Sequence, residues 1–108
     1  MEPLSRVTPA TVDVLAVLSE AVGECWGLQV IKHSGRPAGS VYPILERLES
    51  IGWLSSYWET DDARSGPRRR YYELTEGGAS AASETIAAFT RKSRVAVARP
   101  ASASAVTA

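Results

Sequence analysis

Few residues in this chain are equipped for covalent or metal chemistry: its 108 positions hold one cysteine, one histidine and one methionine. A lone Cys25 excludes an intrachain disulfide, and Cys25 with His33 offers two candidate ligands where a metal site needs three or four. One histidine, no glycine-flanked nucleophile and no phosphate-cradling loop leave neither a catalytic triad nor a nucleotide site, so no enzyme, no metal and no cofactor are expected. Long apolar runs are missing too, and none approaches the roughly 18 residues that span a bilayer. The stretch "MEPLSRVTPATVDVL" has an early acid and lacks the apolar centre of a signal peptide. These absences predict a protein of the reducing cytoplasm, without a membrane partner. Net charge is absent as well, because twelve basic residues balance twelve acidic ones. The uniformly basic surface of many nucleic-acid binders is therefore excluded.

The charge that is present is unevenly placed. Arg64, Arg68, Arg69 and Arg70 fall within seven positions that contain no acid, and Arg91, Lys92, Arg94 and Arg99 form a second cluster. At this length the chain should form one core, completed by a partner if its helices leave apolar faces over.

Thr8 and Pro9 read as a helix cap and the proline favoured at the first helical position. In the helix that follows, Val12, Val14, Leu15, Val17, Leu18, Ala21 and Val22 cover more than one face, which suits burial against its own domain and, through Leu15, against a second chain. Gly23 should end it. The segment "ECWGLQVIKHSG" supports a second helix closed by Gly35 and Pro37. The clearest periodicity belongs to a third helix, where Val41, Ile44, Leu45, Leu48 and Ile51 repeat at three and four. Proline lacks an amide donor, so Pro43 places the start of that helix near Ser40, with Ser40 as its cap.

After Gly52, "WLSSYWE" and "RRRYYEL" both alternate, and the polar "TDDARSGP" between them makes a turn. The pair reads as a β-hairpin with a basic tip. Thr75 can cap a last helix, whose thin stripe of Ala79, Ala82, Ile86 and Phe89 is too weak to anchor it alone and calls for a second copy of the chain. Pro100 should end that helix, and "ASASAVTA" should be a disordered tail.

Three helices followed by a hairpin is the order of a winged helix-turn-helix, in which the third helix enters the major groove and the wing meets the flanking backbone. The expected fold is mainly α with a small β-hairpin. Residues 1–76 would form the DNA-binding domain, 77–99 a C-terminal dimerisation helix and 100–108 the tail. Gly39 and Ser40 keep the start of the third helix slim, its first-turn amides suit a phosphate, and the hydroxyls of Ser40 and Tyr42 can donate to phosphate oxygens. Lys32 and Arg36 flank the turn before it. Arg64, Arg68, Arg69 and Arg70 lie on the wing, where alternation prevents all of them from meeting one target.

The segments "CWGLQVIKHSGRPAGSVYPILERLESIGWL" and "GPRRRYYELTEGG" resemble the PadR family of transcriptional regulators, through the pattern "YP.L.RLE..G" and a wing ending in "YY.LT..G". The resemblance covers residues 10 to 80. It implies a homodimeric winged-helix repressor with a C-terminal dimerisation helix, of the shorter type with a single such helix. It also implies a double-stranded DNA operator as partner and, in many relatives, a small-molecule effector that releases the DNA.

Each feature has a plainer reading. Ser40 can be a cap and Tyr42 a surface aromatic; the arginine run can be a solvated face. Arg47, beside Glu46 and Glu49, can form an ion pair within its helix as readily as read a base. Trp26, Trp53 and Trp58 suit core and hairpin packing better than the alternative of a flat ligand pocket at a dimer interface. Dimerisation falls to Leu15, Ala82, Ile86 and Phe89. The exposed face of the third helix lacks the asparagine, glutamine or second arginine that would read bases in bidentate fashion, so specificity should come largely from the wing, DNA shape and half-site spacing. Zero net charge and the acids of the third helix keep a rival open: a winged-helix module that binds protein, such as an anti-repressor or adaptor.

Overall fold

The computed structural model describes residues 3–4, 6–21, 25–60, 66 and 69–107, with side chains described as far as Arg94. In chain order the elements are α1 (Pro9–Glu20), β1 (Cys25–Trp26), α2 (Gly27–Ser34), α3 (Ala38–Ser50), β2 (Leu54–Trp58), β3 (Arg70–Leu74) and α4 (Glu76–Thr107). The three strands form one antiparallel sheet in the order β1-β3-β2.

Helix α1 starts as expected. The Thr8 hydroxyl accepts from the amide of Thr11 at 3.2 Å, and Pro9 occupies the first turn. The helix ends at Glu20, where the Ala21 amide donates to the Val17 carbonyl at 3.0 Å. Gly23, expected as its end, lies outside the described residues. Val14, Leu15 and Leu18 of α1 are buried with Val30 of α2, Val41, Leu45 and Leu48 of α3, Trp53, Leu54, Tyr72 and Ala82. This is the core that fixes the helices, and each fully buried leucine contributes roughly 1.5–3 kcal/mol of apolar burial.

Two helix starts differ from expectation. The sequence pattern places Cys25 and Trp26 in the second helix, but they form a strand, pairing with Tyr72 and Tyr71 of β3. A two-residue strand is too short to alternate visibly, so only its long-range partner defines it. The helix proper begins at Gly27, where the Trp26 amide donates to the Gln29 side-chain oxygen at 3.0 Å. It closes at Gly35, whose φ of 72° is left-handed and suits glycine. Helix α3 begins at Ala38 with Pro37, not Ser40, as its N-cap. The amides of Ser40 and Val41 both donate to the Pro37 carbonyl, at 2.9 and 3.0 Å. Pro43 therefore lies inside α3. Its missing donor would have served the Gly39 carbonyl, and both residues are exposed, so water can replace the lost bond.

The hairpin has the expected alternation. Leu54, Ser56 and Trp58 of β2 stand opposite Leu74, Tyr72 and Arg70 of β3, and this face carries the buried Leu54 and Tyr72. Tyr57 and Tyr71 oppose each other on the outer face with ring centroids 5.7 Å apart.

Thr75 caps α4, its hydroxyl accepting from the amide of Gly78 at 2.9 Å. Ala82 and, partly, Ile86 pack on the core. The helix then continues past Pro100 to Thr107, beyond the end assigned from sequence. Proline costs one backbone hydrogen bond, and the flanking alanines have the highest helix propensity available to offset it. Among the described residues no helix is long and apolar enough to cross a membrane.

Candidate nucleic-acid interface

Two contacts outside the core link α1, α2, the Gly35–Pro37 turn and α3. The Arg36 guanidinium reaches the Asp13 carboxylate of α1, Nε and Nη2 both lying 2.8 Å from Oδ2, which pins the turn onto the first helix. Across the other side, the Tyr42 ring of α3 lies on Gly27 in the first turn of α2. A Cβ added at Gly27 would stand 2.8 Å from the Tyr42 ring and hydroxyl. Glycine there lets the aromatic lie directly on the helix start, and a side chain at residue 27 would push the Tyr42 ring outward. Tyr42 nevertheless keeps 39% of its surface exposed.

Helix α3 then divides cleanly. Val41, Leu45 and Leu48 are fully buried, whereas Tyr42, Pro43, Glu46, Arg47 and Ser50 face outward. Gly39 is exposed, and a Cβ there would meet nothing within 4 Å. The chain's own packing does not demand a small residue at Gly39, so the open space at the start of α3 faces outward. Ser40 is half-buried beside it, and Lys32 is exposed on α2.

The wing stands next to α3 through a polar cluster that sequence reasoning missed. Glu49 accepts from the Ser56 hydroxyl, and Arg70 donates to Ser56 at 2.7 Å and to Glu49 at 3.5 Å. Arg70 also stands 5.0 Å from the Trp58 ring centre. Three donors and acceptors from α3, β2 and β3 thus meet in one place, and Arg70, expected at DNA, is turned toward its own fold. Glu49 faces the wing, and two positions along a helix from Arg47 it does not share that residue's side. Among the described residues Arg47 forms no ion pair and projects from the outer face of α3.

Arg69 points the other way, as the alternation requires, and covers the Trp26 ring at 4.0 Å from its centre. Such cation–π stacking fixes the guanidinium on β1. Arg64 and Arg68 lie outside the described residues. The tryptophans occupy separate settings: Trp26 lies under Arg69, Trp53 is buried in the core and Trp58 is 53% exposed.

The expected dimerisation set also divides. Leu15 and Ala82 are fully buried within the chain's own core, because α1 and α4 pack on each other there, and neither has surface to offer a partner. Ile86 and Phe89 remain partly exposed. Ile86 lines an open cavity of about 580 Å³ with Leu18, Ala21, Leu74 and Ala79, and Phe89 lines a second of about 480 Å³ with Val7 and Ala88.

Burial pushes the Cys25 thiol up. Burial also raises Tyr72, against the opposing pull of Arg70. Neither group faces the outer surface of α3.

A helix-turn-helix with a three-stranded sheet, its hairpin held beside the second helix of the unit, defines a winged-helix protein of the DNA-binding class. Residues 14–84 match the model of the PadR-like family of transcriptional regulators, and the chain belongs to that family. Solved structures agree on the fold. Sso10a-2, a DNA-binding protein from Sulfolobus solfataricus, superposes with a TM-score of 0.70 at 20% identity, over 92% of this chain and 95% of that one. A protein described as a "probable transcriptional regulator" from Pseudomonas aeruginosa gives 0.69 at 26% identity, over 86% and 66%. A PadR family transcription regulator from Clostridium difficile gives 0.60 at 21%, over 92% and 99%. No curated protein matches the chain. Transcriptional regulation, not catalysis, is the activity of this family.

Proposed function

We propose that the protein is a homodimeric repressor that binds a pseudopalindromic double-stranded DNA operator and occludes the promoter. The observation that carries this reading is the outer face of α3, which the chain leaves uncovered while the Glu49–Ser56–Arg70 cluster holds the wing alongside it. In this reading Lys32, Gly39, Ser40 and Tyr42 meet the phosphate backbone, with Arg36 limited to a secondary role by its bond to Asp13. Arg47 is the side chain placed to reach a base edge. Arg64 and Arg68 supply wing charge, and Arg69 supplies it to the extent that Trp26 releases it. Residues 1–76 bind DNA, while Ile86 and Phe89 on the helix beyond form the contact between copies. A small-molecule effector that releases the DNA, and a cytoplasmic location, belong to the same reading.

The exposed Tyr57 and Trp58 favour a second reading, a wing that docks on protein as an adaptor or anti-repressor does. The deciding experiment is selection of random and genomic DNA fragments by the purified protein, followed by sequencing. An inverted repeat with half-sites about one helical turn apart supports the repressor. No enrichment, together with stable capture of a protein partner, moves the adaptor to first place.

A further inference from the structure

The last turn of α3 and the first turn of α4 are joined by an unbroken run of short contacts through Trp53. The Trp53 amide donates to the Leu48 carbonyl at 3.0 Å, tying residue 53 to the end of α3. The Trp53 carbonyl in turn accepts from the Thr75 amide at 3.0 Å and the Thr75 hydroxyl at 3.3 Å, and the same hydroxyl lies 2.9 Å from the Gly52 carbonyl. Thr75 then accepts from the Gly78 amide. Gly78 is buried with its α-carbon against the backbone of Trp53: a Cβ there would stand 1.9 Å from the Trp53 carbonyl oxygen and 2.6 Å from its carbon. The opposing atoms are backbone, and Trp53 itself is buried, so no side chain can swing away to make room.

We infer that Thr75 and Gly78 are positioning residues that set the angle between α3 and α4, and through it the half-site separation the protein accepts. This rests on the dimeric operator-binding reading above. A dimer joined along α4 holds its two copies of α3 at a distance fixed by that angle. Adding a methyl group at Gly78 requires the two backbones to part by roughly 1.5 Å before ordinary contact distance is reached. Ile86 and Phe89 lie about 12–16 Å further along α4, at about 1.5 Å per residue. A tilt at the joint is therefore magnified at the dimer contact to a few ångströms, comparable with the roughly 3.4 Å between successive base pairs.

The test uses the full-length protein and the duplex recovered by selection, with derivatives carrying one to three base pairs added or removed between the half-sites. Gly78→Ala and Thr75→Val are compared with wild type, with folding checked by circular dichroism and dimerisation by sedimentation. The expected result is a folded dimer whose spacing optimum has moved. Affinity for the original duplex should fall about tenfold or more, while that for at least one altered spacing holds or rises. Thr75→Ser, which keeps the hydroxyl, should restore the original optimum. If Gly78→Ala does not fold, Thr75→Val and its serine rescue carry the same test. An equal loss at every spacing would mark the joint as merely structural and overturn the inference, as would an unchanged optimum. Failure of the wild type to select any inverted repeat would overturn the operator reading itself, and this inference with it.

Discussion

Arg69 and Arg70 are neighbours in sequence and opposites in role, because a strand sends successive side chains to opposite faces. Arg70 reaches Ser56 and Glu49, whereas Arg69 lies flat on Trp26. The Arg70–Glu49 pair is about one-third exposed on both sides, so solvent screens much of its attraction. Arg70→Ala should therefore cost only about 0.5–1 kcal/mol in a urea titration. A second prediction concerns the buried acids. Cys25 and Tyr72 both hold their protons more tightly when folded, with burial as the main cause. Above a pH of about 9 the unfolded chain releases the thiol proton first, so stability falls as pH rises through that range and is fully present below it. Urea titrations from pH 7 to 10.5 should show this decline, and Cys25→Ala should make it shallower. The residue types at these positions were legible in the sequence. Their partners were not, since Glu49 and Arg70 are separated by a helix end, a strand and a turn.

At the scale of elements, periodicity was the reliable guide and short segments were not. The repeat of Val41, Leu45 and Leu48 predicted the inner face of α3, and all three are fully buried. Leu45→Ala should accordingly cost about 2–5 kcal/mol, read as a lower urea midpoint with an unchanged slope. The strand at Cys25–Trp26 is not legible in the sequence because two residues carry no period, and its definition lies in β3, more than forty positions away. Ser40 was a better cap by chemistry than Pro37, yet the α2–α3 turn, pinned by Arg36 on Asp13, brings the Pro37 carbonyl to the amides of Ser40 and Val41. Local propensity gave way to tertiary geometry. In α4 the stripe was legible but its partition was not: Ala82 turned to its own core and Ile86 and Phe89 kept surface. Ile86→Asp or Phe89→Asp should convert a dimer to a monomer in sedimentation, since each would bury a charge at the contact between copies.

For the molecule as a whole, a sum of zero charge conceals a face that can still be attractive to phosphate. If a dimer neutralises about 8 phosphates, the logarithm of its affinity should fall against the logarithm of salt with a slope of about −7. Titration of binding between low and physiological salt measures it, and Arg64→Ala with Arg68→Ala should flatten it. The three tryptophans, in three separate settings, have a further use. One is sealed in the core, one lies beneath the Arg69 guanidinium, and Trp58 on the wing keeps an exposed face beside Arg70. Their fluorescence should divide accordingly: Trp58 emits at long wavelength and is quenched by acrylamide, while Trp53 emits at short wavelength and is shielded. The chain thus carries its own optical reporters of wing and core, and single tryptophan-to-phenylalanine variants would let occupancy of the wing be followed without a label.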